Sequence, residues 1–150
     1  MFQIRKIVHP TDFSEQSRAA FDVACALARD YGAELITVHV SPPPAVYAPD
    51  GIAMPTPVED PIDVRTRLVR MRPADPRVKI DYRVLDGDPA DRVLGFAKSE
   101  GADLIVMGTH GTTGLLRLLM GSVAENVLRK AECPVLTVKG PPQGTATPSA

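Results

Sequence analysis

Ala102-Asp103-Leu104-Ile105-Val106-Met107-Gly108-Thr109-His110-Gly111-Thr112-Thr113-Gly114, continued after Leu115–Met120 by Gly121-Ser122-Val123-Ala124-Glu125, is the stretch from which the fold is read. Leu104 to Met107 is a short, uninterrupted apolar run, the pattern of a strand buried on both faces. It ends at Gly108 and opens into a glycine-containing loop. Ser122 with Glu125 three residues on reads as a capping box, and Ala124, Val127, Leu128 and Ala131 trace the buried side of the helix that follows. Strand, glycine loop and helix in that order form one repeat of an α/β domain.

The same alternation recurs on both sides. Upstream, Arg5 to His9 carries Ile7 and Val8 and is closed by Pro10, then runs into the turn Thr11-Asp12-Phe13-Ser14. Ala20, Ala24, Leu27, Ala28 and Tyr31 follow at helical spacing, with either Asp12 or Ser14 as the N-cap and Gly32 as the left-handed stop. Leu35 to Val40 is β-branched and apolar and reads as a second buried strand. Seven of the fifteen prolines (Pro42, Pro43, Pro44, Pro49, Pro55, Pro57 and Pro61) crowd the interval from 41 to 61, which predicts a long surface loop. A short helix is expected from Ile62 to about Met71. From Val78 to Leu85, apolar Val78, Ile80, Tyr82 and Val84 alternate with polar Lys79, Asp81 and Arg83, the signature of an edge strand with one wet face. Asp88-Pro89 is an N-cap with proline at the first helical position; Ala90, Val93, Leu94 and Ala97 face inward until Gly101. Val135 to Val138 is the last strand. The order β-α-β-(loop, short α)-β-α-β-α-β implies a parallel sheet covered by helices on both faces, a Rossmann-like α/β fold. Residues 1–139 are expected to form the domain and 140–150, rich in Pro, Gly, Ser, Thr and Ala, a tail.

Composition narrows the function. Of 150 residues 44% are hydrophobic, enough for one sizeable core, and seventeen basic side chains nearly balance eighteen acidic ones. That balance lacks the electrostatic footprint of a dedicated nucleic-acid binder. No run approaches the ~18 apolar residues of a membrane span, and the opening residues have no apolar signal core, so a cytoplasmic domain is expected. Cys25 and Cys133 form no CxxC pair; Cys25 sits near the buried helical stripe and reads as core. The sequence has no GxxxxGK[ST], no GxGxxG after the first strand, no HExxH and no GxSxG. His9 and His39 lie within apolar strands and read as packed, hydrogen-bonded side chains, whereas His110 in the glycine loop is the better candidate for ligand contact. Arg65, Arg67, Arg70, Arg72, Arg77 and Lys79, opposed only by Asp75, read as a solvated basic face.

In an open parallel sheet, ligands bind beyond the carboxyl ends of the strands, where strand order reverses. Two loops stand there: Pro10-Thr11-Asp12 and 108–122. Gly108, Gly111 and Gly121 are expected to let the backbone turn with positive φ and approach a ligand closely. The N–H groups of Gly121, Ser122 and Val123, at a helix start, offer an anion site, with the hydroxyls of Thr109, Thr112, Thr113 and Ser122 beside them. Asp12 either caps the first helix or accepts hydrogen bonds from ribose hydroxyls.

Together, G-x2-G-x9-G-[ST] at Gly108, Gly111, Gly121 and Ser122, the preceding Ala102 to Met107, the run to Cys133-Pro134-Val135-Leu136-Thr137-Val138, and the opening Ile7-Val8-His9-Pro10-Thr11-Asp12-Phe13-Ser14 resemble the universal stress protein family. The resemblance covers residues 2–139 apart from the proline-rich interval. It implies five parallel strands in the order 3-2-1-4-5, an adenine nucleotide alpha hydrolase-like arrangement, with a crevice between strands one and four that binds ATP with Mg2+. Carried over by position, Pro10, Thr11 and Asp12 would face the nucleoside, with Asp12 on the ribose. The Val40 backbone would meet the adenine edge. Met107, Gly108, Thr109, His110, Gly111, Thr112 and Thr113 would line base, sugar and phosphates, and Gly121, Ser122 and Val123 would hold the phosphates. The expected function is a dimeric, ATP-binding regulatory protein with little or no catalysis. The alternatives are a slow Mg2+-dependent ATP hydrolase, with Asp12 or His110 orienting water, and a nucleotide-independent adaptor. A homodimer is expected through Val135 to Val138, an edge strand with no charge or proline inside it, and the family is similar in pairing there.

Overall fold

The computed structural model describes residues 2–43, 58–109 and 120–140. Its elements are β1 (Lys6–Pro10), α1 (Glu15–Tyr31), β2 (Glu34–Ser41), α2 (Pro61–Arg70), β3 (Ile80–Asp86), α3 (Pro89–Glu100), β4 (Leu104–Gly108), α4 (Ser122–Lys130) and β5 (Val135–Val138). The five strands lie in the order β3-β2-β1-β4-β5, every neighbouring pair parallel. Strand order therefore reverses between β1 and β4, and β3 and β5 are the two edges.

Strand alternation sorts the core into two layers. Ile7, Leu35 and Val106 face α1, against Ala20, Phe21, Ala24 and Ala28. Val8, Ile36, Val38, Ile105 and Met107 face α3 and α4, against Val93, Ala97, Ala124 and Val127. Ile7, Val8, Leu35, Val38, Ile105 and Val106 are wholly removed from solvent, and each such side chain contributes roughly 1.5–3 kcal/mol of transfer free energy. This is why the central strands are short apolar runs while β3, at the edge, is half-buried along most of its length.

Helix ends follow local chemistry. Ser14 caps α1 by accepting from the Ser17 N–H, and Gly32 closes it at φ 65°. Asp60 and Asp88 cap α2 and α3, each with a proline in the first turn, and Gly101 closes α3 at φ 64°. Asp12 is thus not the cap of α1; its Oδ1 accepts from the Ser14 N–H at 3.0 Å, inside the turn. The proline-rich interval is shorter than its composition suggests, since Ser41 belongs to β2 and Pro61 opens α2. Most of that interval, 44–57, and the tail from 141 lie outside the described residues.

One expected cap does not form. The N-cap of α4 is Gly121, with no side-chain hydrogen bond, and Ser122 is the first helical residue. The helix starts one position earlier than a Ser122 cap requires because the Gly121 N–H donates to Thr109 O at 2.7 Å and its carbonyl accepts from the Glu125 N–H at 3.0 Å. Glu125 turns instead to Arg129, at 2.8 Å.

Candidate functional site

The carboxyl ends of β1 and β4 lie on neighbouring strands, and each leads into one of the loops expected to matter. At β1, the Thr11 N–H donates to Val38 O at 2.8 Å, prolonging the ladder past Pro10. The buried Thr11 hydroxyl accepts from the Phe13 N–H at 3.1 Å and from Ser17 Oγ at 2.7 Å. These bonds fold Pro10-Thr11-Asp12-Phe13 into a tight turn. Phe13 sits at φ 64°, the one positive φ on a non-glycine residue among those described, a conformation that costs an L-residue roughly 1–2 kcal/mol. At β4, the Thr109 N–H donates to Val138 O at 3.1 Å and its carbonyl receives Gly121 N–H, so the start of α4 is fastened to the end of the strand.

Two glycines act differently from expectation. The positive-φ glycines among the described residues are Gly32, Gly87 and Gly101, not Gly108 or Gly121. A Cβ on Gly108 would lie 3.2 Å from the carbonyl carbon and oxygen of Gln16, a tight contact that glycine spares where β4 approaches the first turn of α1. Gly121, at φ −58°, is under no conformational demand. Its N–H, expected to hold a phosphate, is given instead to Thr109 O.

Of the predicted contacts, Pro10, Thr11, Asp12, Met107, Gly108, Thr109, Gly121, Ser122 and Val123 lie on these two loops and strand ends. Val40 lies two positions past Val38 on β2, its side chain buried toward α3 and α4. His110, Gly111, Thr112 and Thr113 lie outside the described residues.

Both strand histidines are buried and hydrogen-bonded. His9 Nδ1 meets Val106 O at 2.8 Å, across the β1–β4 gap. A carbonyl only accepts, so Nδ1 carries the hydrogen. Burial pushes this imidazole down to about 4, outweighing the Val106 bond and the Asp12 charge that favour protonation. His9 is a neutral strut, not an acid–base group at neutral pH. Burial pushes the Cys25 thiol up to about 12, helped by Asp22, so it is no thiolate.

His39 has a partner that the sequence does not announce. Its Nδ1 meets Thr11 O at 2.8 Å, and its Nε2 meets Glu59 Oε2 at 2.8 Å. Ser41 Oγ also donates to that carboxylate oxygen, at 3.1 Å. Phe13 lies against the imidazole with ring centroids 4.7 Å apart, and the Arg67 guanidinium stands 4.1 Å from the Phe13 centroid. Arg67 is therefore more than part of a solvated face. No local motif marks this cluster, because its members come from β1–α1, β2, the approach to α2, and α2 itself.

A cavity of about 380 Å³ lies elsewhere, between α3 and the end of α4, lined by Leu94, Ala97, Ile105, Ala131 and Cys133. It sits near the amino end of β4, away from the strand-end loops. Among the described residues no helix is long and apolar enough to cross a membrane.

An open parallel α/β sheet with a glycine-opened helix N-terminus at its switch point is a nucleotide-binding class of architecture. The chain belongs to the universal stress protein family, whose family model matches residues 3–139. It is 39% identical over 141 residues to universal stress protein MJ0531 of Methanocaldococcus jannaschii, covering 91% of this chain and 83% of that protein. The solved structure of MJ0577 has a TM-score of 0.72 at 29% identity, covering 93% of this chain and 99% of that one. A universal stress protein solved in complex with cAMP has a TM-score of 0.66 at 26% identity, covering 91% and 98% respectively.

Proposed function

We propose that the protein binds ATP in the crevice between the ends of β1 and β4 and acts as a nucleotide-dependent regulatory protein with little turnover. The observation that carries this reading is the N-terminus of α4. The other three helices each donate a first-turn N–H to their own cap side chain, at Ser14, Asp60 and Asp88. α4 begins at a glycine, which has no side chain to accept one, beside the end of β4. Amides at a helix start and the helix dipole suit a phosphate. Asp12, one loop away, suits ribose hydroxyls, and the relative solved with cAMP supports an adenine nucleotide. A triphosphate would carry Mg2+ with it, the chain's own contribution being backbone N–H groups. His9 and His39 are both engaged in holding backbone carbonyls, so a slow hydrolysis would have to draw on Asp12 or His110. Titration calorimetry of nucleotide-stripped protein is expected to give saturable ATP binding; no heat up to millimolar ATP overturns the proposal.

The assembly reading is a homodimer joined along β5. Pro134 O accepts from Ile105 N–H and Val138 O from Thr109 N–H. Parallel alternation therefore turns the N–H and C=O of Val135 and Thr137 away from β4, toward the open edge. Leu136, 39% exposed, adds an apolar side chain there. Thr137→Pro removes an outward N–H while sparing the β4 ladder, which Leu136→Pro would cut. Light scattering is expected to show a wild-type mass of two chains and at least tenfold weaker association in Thr137→Pro. A wild-type monomer at high micromolar concentration contradicts this.

A further inference from the structure

His39 lies between two acceptors, the Thr11 carbonyl and the Glu59 carboxylate, with each contact at 2.8 Å. The carbonyl takes the Nδ1 hydrogen. The second bond then needs a proton on Nε2, making an imidazolium–carboxylate pair, or a proton on Glu59. Either way the ring bridges two segments that lie 28 and 20 residues from it in sequence, on opposite sides. The His39 side chain is only 6% exposed, and that of Glu59 34%. Burial alone would push the Glu59 carboxyl up. The bonds from His39 and Ser41 and the nearby Arg67 charge outweigh it and hold the carboxyl below the usual range.

The bridge ends on the turn that carries Asp12. On one side of Asp12, the Thr11 backbone is fastened to β2 through its N–H to Val38 O and its carbonyl to His39. On the other, Phe13 is held at positive φ, pressed between the His39 ring and the Arg67 guanidinium. A strained turn keeps its shape only where its surroundings over-determine it. Here those surroundings come from β2, from Glu59 and from α2.

We propose that His39 and Glu59 form a clamp that positions the Thr11-Asp12-Phe13 turn for the nucleotide, making Glu59 a positioning residue for a site it does not itself line. The proposal rests on the ATP-binding reading, and its test separates the two. Glu59→Ala removes the clamp at a part-exposed position and is expected to leave the protein folded. Glu59→Gln keeps it, because an amide nitrogen in the place of Oε2 has two hydrogens to donate, one to a neutral Nε2 of His39 and one to the Ser41 hydroxyl oxygen.

In nucleotide-free protein, amide exchange at Thr11, Asp12 and Phe13 is expected to quicken at least tenfold in Glu59→Ala and to stay near wild type in Glu59→Gln. The His39 ring nitrogens, read by 15N NMR, should change in both variants. ATP affinity is expected to fall about tenfold in Glu59→Ala and to remain within about threefold in Glu59→Gln. His39→Ala/Glu59→Ala together should bind no worse than His39→Ala, as expected of two residues acting as one unit. Turn amides or ATP affinity unchanged in Glu59→Ala would overturn the clamp. If wild-type protein binds no ATP, the nucleotide reading falls and the exchange rates alone decide the clamp.

Discussion

Lowering the pH from 7 to 5 is expected to remove about 2 kcal/mol of folding stability through one side chain, His9. The ring is fully buried, packed 5.7 Å from Phe21 between centroids, and its Nε2 has no hydrogen-bond partner among the described residues. Charging it means placing an imidazolium where the Val106 carbonyl and the Asp12 charge offset only part of the cost of burial. Its pKa, lowered from 6.5 to about 4 in the fold, sets the sign. Between those values the unfolded chain holds a proton that the folded chain does not, so stability falls with falling pH. The loss is complete below about pH 4, at about 3 kcal/mol. His9→Asn keeps an N–H donor near Val106 and removes the titration. In urea unfolding at fixed protein concentration, wild type is expected to lose about 2 kcal/mol more than His9→Asn between pH 7 and pH 5. Equal losses in the two proteins would show that His9 is not held neutral.

Gly121→Val is expected to lower ATP affinity by about 100-fold, or about 2.7 kcal/mol, while leaving the protein folded. Glycine at φ −58° is in a region open to every residue, so the backbone does not reject valine. The replacement costs roughly 1 kcal/mol as a poorer helix cap. The larger loss is steric. On the phosphate-binding reading, two methyl groups at the helix start would crowd a phosphate oxygen that approaches the Ser122 and Val123 amides. Calorimetry on both proteins decides this, and binding within threefold of wild type would mean that the phosphates lie elsewhere.

His9 and Gly121 also divide what is legible in the amino-acid sequence from what is not. Element order and most helix ends depend on neighbours in sequence. Gly32, Gly101 and Asp88-Pro89 act within a turn of where they stand, and the alternation of 78–85 marks β3 as an edge. The burial of His9 follows from its apolar strand. Its orphaned Nε2 does not, because that depends on what the sheet places around it. The start of α4 falls one residue ahead of the position that Ser122 and Glu125 suggest, because a backbone bond from Gly121 to Thr109 sets it. The crowding that a side chain at Gly108 would meet comes from Gln16, which is distant in sequence and reaches it only through the packing of α1 on β4. The His39–Glu59 bridge is hidden for the same reason, since its ends meet only after β2 and α2 are in place.

An adenine-nucleotide site at the ends of β1 and β4 has a direct spectroscopic consequence. When ATP is titrated into isotope-labelled protein, backbone amide shifts are expected to saturate at Thr11, Asp12, Gly108, Thr109, Gly121, Ser122 and Val123, with the α4 amides moving most. Shifts confined to the cavity between α3 and α4, at Leu94, Ala97 and Cys133, or no shifts up to millimolar ATP, would place the nucleotide elsewhere or nowhere on this protein.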